Sequence, residues 1–207
     1  MPSAQSSTYR LSFTSGGLYS SQAIKAAEIY RKLGDWDQVA ARLESENILQ
    51  ARTASSLKRM LRELMARLKT MTSMQLDILI DGTRQEQNQI LWVAACKHYP
   101  FIREFAVNVV REKYLRLDWE LTSVDFSAFY NAKAEWDEKL ERITESSRIE
   151  LRRVIYRMLR EVEILSTANL ILPPIITQAV ARAIRQDDLA LFMIFPISDV
   201  DIRKLSL

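Results

Sequence analysis

Apolar residues recur at intervals of three and four along most of this chain, and this spacing constrains the fold more than any other feature. It is clearest between positions 52 and 69, where the apolar side chains fall on one face of a helix. They are Leu57, Met60, Leu61, Leu64, Met65 and Leu68. With only four Gly and five Pro in 207 residues and few alternating apolar runs, the chain is predicted to be all-α.

The same stretch concentrates positive charge. It carries six cations and one acid, a net +5, whereas the whole chain has a net charge of +3. The cations are Arg52, Lys58, Arg59, Arg62, Arg67 and Lys69. A helix that docks through one face and presents cations on the other can bind phosphate. The alternative is a solvated helix whose charges only keep the protein in solution.

A shorter helical segment precedes the basic one. Asp35 is expected to cap it, because a short carboxylate accepts hydrogen bonds from free amides at a helix start. A connection over 48–52 follows, and Thr53 and Ser55 are candidate caps for the basic helix. A helix, a short turn and a longer basic helix predict a helix-turn-helix, although the turn lacks the usual Gly.

The residues expected to face DNA lie at the start of the basic helix, which enters the major groove in this geometry. Free amides and the helix dipole favour an anion there, so hydroxyls and amides suit phosphate oxygens. Arginine binds phosphate, or a guanine edge through two hydrogen bonds. The candidate DNA-binding residues are Arg52, Thr53, Ser55, Ser56, Lys58, Arg59 and Arg62.

Further helices are predicted elsewhere, and the four tryptophans are expected to anchor the core. Gly34 is expected to end one helix, and Thr83 to form a capping box with Glu86 for another. The predicted helices outside the basic segment cover 20–33, 35–47, 72–80, 83–98, 101–115, 122–136, 145–165 and 175–184. The turn at Asp81-Gly82 predicts a boundary between an N-terminal helical subdomain with the helix-turn-helix, 1–81, and a closely packed C-terminal helical subdomain, 82–207.

Two segments allow other interpretations. The segments 170–174 and 189–195 are each interpreted as a short strand, and together they suggest a C-terminal β-hairpin or wing. The helix over 145–165 carries five arginines and four glutamates, a near balance. Since many of these charges can pair three or four residues apart, we interpret it as a salt-bridged surface helix.

Catalytic chemistry has little support in this sequence. Its one histidine and one cysteine, His98 and Cys96, are two residues apart and do not share a helix face. Nucleotide-binding, metalloprotease and hydrolase motifs are absent. We therefore expect no enzymatic activity, no metal, no cofactor and no small-molecule substrate.

The apolar runs bear on the compartment. The longest, 90–96 and 189–197, are far shorter than the roughly 18 residues that span a bilayer. The polar N-terminus does not resemble a signal peptide. A single cysteine excludes an internal disulfide and fits a reducing compartment, so we expect a cytoplasmic protein without a membrane segment.

The chain resembles the BrxA family, a small component of BREX phage-defence systems, over nearly its full length. The resemblance rests on YRLSFTSGGL at Tyr9–Leu18, GDWD at Gly34–Asp37, ARTASSLKRMLRELMARLKTMT at Ala51–Thr72, FIREFAVNVVREKYL at Phe101–Leu115, FYNAKAEW at Phe129–Trp136 and ESSRIELRRVIYRMLREV at Glu145–Val162. It implies an all-helical protein similar in part to the antitermination factor NusB, and a DNA-binding role. It also implies work beside a methyltransferase, a phosphatase-like protein and an ATPase of the defence system.

Two classes of function remain open. The first is a DNA-binding accessory protein of a BREX system, which contacts double-stranded DNA through the basic helix. The second is a scaffold or adaptor that packs on other BREX defence proteins and exposes an apolar patch for them. The NusB-like comparison also leaves RNA open as the ligand.

Overall fold

A computed structural model of the protein describes residues 9–13 and 16–207. Within those ranges the fold is all-α without a sheet, as predicted, and it contains twelve α-helices. They are α1 (Ser20–Leu33), α2 (Trp36–Ser45), α3 (Ala54–Leu68), α4 (Ser73–Asp81), α5 (Arg84–His98), α6 (Pro100–Phe105), α7 (Glu112–Leu115), α8 (Ser123–Ala134), α9 (Glu138–Glu141), α10 (Glu145–Glu161), α11 (Gln178–Arg185) and α12 (Asp199–Leu205). A π-helical segment, Ala106–Arg111, joins α6 to α7, and a 3₁₀ helix, Leu189–Ile194, lies between α11 and α12.

Caps confirm the predicted end of α1 and the predicted starts of α2 and α5, whereas α2 ends at Ser45 and not at the predicted Asn47. Gly34 ends α1 in the left-handed conformation, with φ of 68°, which costs glycine no steric strain. Asp35 caps α2, and its carboxylate accepts from the backbone amide of Asp37 at 2.7 Å. Thr83 and Glu86 form the predicted capping box of α5. These short-range signals set where each helix begins and ends.

Helix α5 is the centre of the core, as its apolar sequence predicts. Every residue from Ile90 to Cys96 is buried, and α5 packs against α1, α3, α4, α6 and α11. The indole N–H of Trp92 donates to the backbone carbonyl of Ile194 at 3.3 Å, which attaches the 3₁₀ helix to this centre. The hydrophobic cluster therefore continues across Asp81-Gly82, and the division into two subdomains there stays a prediction.

The predicted C-terminal hairpin is wrong. Residues 189–194 form a 3₁₀ helix, which Asp188 caps by accepting from the amide of Ala190 at 2.9 Å. Leu191, Phe192 and Ile194 are buried, a spacing that a strand with one buried face does not give. The 170–172 segment pairs only through isolated bridges, Glu120 with Leu170 and Leu165 with Ile171.

The helix predicted over 101–115 is interrupted by the π-helical segment. A π turn accommodates an extra residue and rotates the side chains that follow it. Val110 is consequently buried, while its neighbour Val109 is only half-buried and Leu115 is exposed. The same rotation turns Arg111 inward, where its guanidinium pairs with Asp199 of α12.

Two of the four tryptophans do not anchor the core. Trp92 is fully buried, and Trp36 stacks on Tyr30 with ring centroids 3.8 Å apart. Trp119 and Trp136, however, are 53% and 83% exposed. Trp136 follows the end of α8 and so leaves its buried face, and Trp119 precedes α8 in irregular chain.

Glu86 links two helix starts that are distant in sequence. Its carboxylate accepts from the backbone amide of Thr83 at 2.8 Å and from the hydroxyl of Thr177 at 2.6 Å. Thr177 caps α11. The bond from Thr177, followed by those from Thr83, lowers the pKa of Glu86 below its ordinary value of 4.5.

We expect Glu86→Gln to lower the free energy of unfolding at neutral pH, because the ionised carboxylate is the form that these bonds stabilise. A lowered pKa stabilises the fold above the unfolded-state pKa, so the difference from the parent protein should disappear as the pH falls below 4.5. Urea unfolding near pH 7 and at about pH 3 measures it. Glu28→Gln, on an exposed face of α1, is the control and should show no such trend; an equal trend there contradicts the assignment.

Candidate nucleic-acid interface

Helix α3 buries one face and exposes the other, as its spacing predicts. Leu57, Leu61, Leu64, Met65 and Leu68 are buried, and the helix packs against α1, α2 and α5. After the first turn of α3, the exposed residues are Lys58, Arg59 and Arg62. All three carry a positive charge, so the outward surface of this helix is uniformly basic.

The start of α3 uses two of the predicted contact residues for capping. The hydroxyl of Thr53 accepts from the amide of Ser56 at 3.2 Å, and the Ser56 hydroxyl accepts from the amide of Thr53 at 3.2 Å. Thr53 and Ser55 are exposed, whereas Ser56 is half-buried. Arg52 is exposed beside them. The seven predicted residues thus lie from the start of α3 to its middle, and the cap occupies the hydroxyls of Thr53 and Ser56.

The connection between α2 and α3 is longer than in a compact helix-turn-helix. It spans residues 46–53, eight in all, whereas such turns have about three or four. Asn47 and Gln50 take left-handed conformations, with φ of 43° and 53°. The Asn47 side chain accepts from the amide of Ala51 at 3.1 Å and donates to its carbonyl at 3.3 Å. Leu49 is buried, so the connection is fastened to the core.

The exposed cations of α3 differ in their neighbours. In the described part of the chain, no carboxylate lies within 4.0 Å of the charged groups of Arg52, Lys58 or Arg59. The Arg62 guanidinium lies 3.5 Å from the Glu63 carboxylate, but its side chain is 70% exposed. Lys69 pairs with Asp37 at 3.3 Å. A positive surface therefore remains at positions 52, 58, 59 and 62.

Arg67 does not belong to this surface, although it contributes to the net charge of +5 between positions 52 and 69. It is 4% exposed, and its guanidinium donates to the backbone carbonyls of Gly17 at 2.9 Å and Glu63 at 3.2 Å. It also lies 5.2 Å from the centre of the Tyr19 ring. Burial lowers the pKa of this guanidinium. The sequence does not reveal this, because the segment that covers Arg67 is some 50 residues away.

The one acid of α3 is also buried. The Glu63 carboxylate accepts from the hydroxyl of Tyr99 and from that of Ser12, the latter at 3.1 Å. Burial first, and then the bond to Glu63, raises the pKa of Tyr99. The hydrogen bonds of Glu63 and Arg67 therefore attach the extended N-terminal arm and the start of α1 to the inner side of α3.

A second basic cluster, which sequence reasoning missed, lies on α10 and consists of Arg152, Arg153, Arg157 and Arg160. Two of the expected ion pairs form, Arg148 with Glu145 at 3.8 Å and Arg153 with Glu150 at 3.5 Å. The Glu161 carboxylate instead accepts from the backbone amide of Leu18 at 2.6 Å. The near balance of charges along the sequence is therefore not a balance in space.

The two residues considered for catalysis, Cys96 and His98, both lie on α5. Cys96 is buried in α5, and burial raises the pKa of its thiol. His98 ends α5, edge-on to Tyr99, and burial followed by the charge of Arg10 lowers its pKa. The described residues contain no group of three or more His, Cys, Asp or Glu side chains that could hold a metal ion. None of the helices described here combines the length and the apolar character needed to cross a bilayer.

Comparison with known sequences decides the family. The sequence profile of BrxA matches residues 7–188. This chain belongs to the BrxA family. The resemblance inferred from the motifs at Tyr9–Leu18 and Ala51–Thr72 is thereby confirmed.

Two BrxA relatives and one solved structure of the same fold are similar to this chain. The chain is 25% identical to the BREX protein BrxA of Escherichia coli O9:H4 (strain HS) over 181 residues, which are 84% of each protein. It is 27% identical to the BREX protein BrxA of Bacillus cereus (strain H3081.97) over 124 residues, 60% of this chain and 62% of the other. It is also similar to the crystal structure of an uncharacterized protein from Magnetospirillum magneticum, with a TM-score of 0.77 and 24% identity over 90% of this chain and 96% of that one. That likeness supports the fold.

The buried hydrogen bonds of Glu63 predict the cost of removing it. Glu63→Leu should lower the free energy of unfolding by about 2 kcal/mol, because the Tyr99 hydroxyl stays buried without its acceptor. Adding Tyr99→Phe removes that orphaned donor, so the two losses should be non-additive by about 1 kcal/mol. Urea unfolding of the two single variants and the double variant measures this coupling. Losses that add to within about 0.3 kcal/mol contradict the assigned bond.

Proposed function

We propose that this member of the BrxA family is a non-catalytic DNA-binding accessory protein of a BREX bacteriophage-defence system, and that α3 contacts duplex phosphates. The observation that carries the proposal is the outward face of α3, whose exposed residues beyond the first turn are all cations. Phosphates attract such a surface without regard to base sequence. The two relatives named BREX protein BrxA support the defence system as the setting.

The start of α3 is the part proposed to approach the DNA. Arg52, Thr53 and Ser55 are exposed at the first turn, where the helix dipole favours an anion, and the cap occupies the Thr53 hydroxyl and the Ser56 amide. Lys58, Arg59 and Arg62 continue the positive surface along the helix. We propose that α2, the fastened connection and α3 act as a helix-turn-helix with a long turn, in which the hydrogen bonds of Asn47 hold the connection in shape.

A specific observation favours the scaffold or adaptor role as a second candidate. Apolar side chains are exposed where the chain before α8 meets the segment after α10: Leu117, Trp119, Leu170 and Leu172. The amide of Ile171 donates to the carbonyl of Trp119 at 2.7 Å and holds the two segments together. An apolar surface of this kind suits contact with another BREX protein.

The α3 proposal predicts the salt dependence of DNA binding. Each neutralised phosphate adds about −0.9 to the slope of log K against log salt. Replacing Lys58, Arg59 and Arg62 together with Gln, which preserves helix propensity, should therefore flatten that slope by up to about 2.7. Fluorescence anisotropy of a labelled duplex, titrated at several salt concentrations, measures the slope.

The control variant removes the same charge from another place. Arg31, Arg116 and Arg142 are each paired with an acid on the surface, so Arg31→Gln/Arg116→Gln/Arg142→Gln should leave the slope nearly unchanged. An unchanged slope in a folded α3 variant removes α3 from the contact surface.

Competition by unlabelled RNA at equal nucleotide concentration tests the RNA alternative. A BREX partner that stays bound after nuclease treatment, and is lost in Trp119→Ser, supports the adaptor role.

A further inference from the structure

Helix α10 lines an open groove whose walls are rich in arginine. The groove has a volume of about 490 Å³ and lies between α10, the start of α8 and the segment that follows α10 at Asn169. Arg152, Arg153, Arg157 and Arg160 all line it, and its described walls include no acidic residue. Four guanidinium groups around one open space form a strongly positive surface that solubility alone does not require.

In the described chain, three of the four groove arginines have no acidic partner, whereas Arg153 pairs with Glu150 at 3.5 Å. Arg157 donates to the backbone carbonyl of Gly16 at 3.2 Å, and Arg160 donates to the side-chain oxygen of Asn169 at 2.6 Å. Both acceptors are uncharged, so these bonds orient the guanidinium groups and leave their charge in place. In the described ranges, no carboxylate lies within 4.0 Å of Arg152, Arg157 or Arg160.

The spacing of the arginines suits an extended anion. Arg153, Arg157 and Arg160 follow one another at four and three residues, so they share one face of α10 over roughly 10 Å. That length exceeds a single phosphate and matches successive phosphates of a polynucleotide, whose charges lie only a few ångströms apart along the axis. Guanidinium groups bind phosphate oxygens through paired hydrogen bonds.

We infer that the α10 groove is a second surface that binds the phosphate backbone of nucleic acid, in addition to α3. This inference rests on the proposed DNA-binding function. The segment at Gly16-Gly17 connects the two helices, since Arg157 of α10 donates to Gly16 and the buried Arg67 of α3 donates to Gly17. Phosphate contacts at both helices contribute to one salt-dependent affinity.

Two measurements test the groove. The first compares the salt slope of duplex binding for Arg152→Gln/Arg157→Gln/Arg160→Gln, for the α3 triple variant, for both together and for the Arg31/Arg116/Arg142 control. The groove variant is expected to flatten the slope by up to about 2.7, and the combined variant to flatten it further than either. Circular dichroism and thermal unfolding establish that each variant is folded.

The second measurement uses the parent protein without substitutions, so it does not require any variant to fold. Phenylglyoxal modifies accessible arginines, and mass spectrometry reports the extent at each site. Duplex DNA at low salt should slow modification of Arg152, Arg157 and Arg160 several-fold, while Arg142 is unaffected. Inorganic pyrophosphate at the same phosphate concentration should protect them much less, because it cannot span the groove.

The outcomes separate the two proposals. One outcome is that duplex binding depends on α3 while the groove arginines are modified equally fast with and without DNA. That result overturns the groove as a binding surface and leaves the α3 proposal in place. Protection of the groove with an unaffected α3 variant supports the groove and removes α3. Equal protection by pyrophosphate and by duplex overturns a backbone-binding surface in favour of a small-anion site. A parent protein that does not bind duplex DNA overturns the proposed function itself.

Discussion

The position of α3 depends on two charged side chains that lie inside the molecule. Arg67 and Glu63 are four residues apart, and both point toward the core side of the helix, where Gly17, Tyr99 and Ser12 provide their hydrogen bonds. A buried charge without such partners would cost several kcal/mol. The bonds therefore specify one rotation of α3 about its axis, and that rotation decides which of its cations face outward.

The distribution of acids decides where positive charge accumulates on this protein. The chain has nearly equal numbers of acidic and basic residues, with a net charge of only +3. Several acids, however, bond to backbone amides at structural positions, as Asp35 does at the start of α2 and Glu161 does at Leu18. In the described chain neither carboxylate forms an ion pair within 4.0 Å with a cation of α3 or α10, so two surfaces, on these helices, stay positive in a protein that is almost neutral.

Much of the fold could be predicted from the sequence, because its signals are local. Gly34, Asp35 and Thr83 mark helix ends through contacts with residues two to four positions away. The features that were missed depend on distant partners. The π-helical turn before Arg111 and the 3₁₀ helix at 189–194 follow from how the chain packs, which the spacing of apolar residues does not report.

The candidate site was predicted only in part for the same reason. The spacing of α3 identifies its apolar face, so Lys58, Arg59 and Arg62 were expected outside and are found there. Arg67 and Glu63 lie at the edge of that face, where the sequence cannot decide between solvent and core. The α10 groove needs the position of Asn169 and Gly16 relative to that helix, which no local pattern contains.

Because Arg111 points inward, the last helix, α12, contributes to the stability of the fold. The Arg111 guanidinium is buried and pairs through one terminal nitrogen with the Asp199 carboxylate, which is itself largely open to solvent. The buried Nε atom of Arg111 has no hydrogen-bond partner in the described chain. Helix α12 lies beyond the residues that match the BrxA profile, yet it supplies the counter-charge for a cation in the interior. Ending the chain before this helix would leave the buried Arg111 guanidinium without its counter-charge. The carboxyl-terminal segment is therefore part of the folded unit.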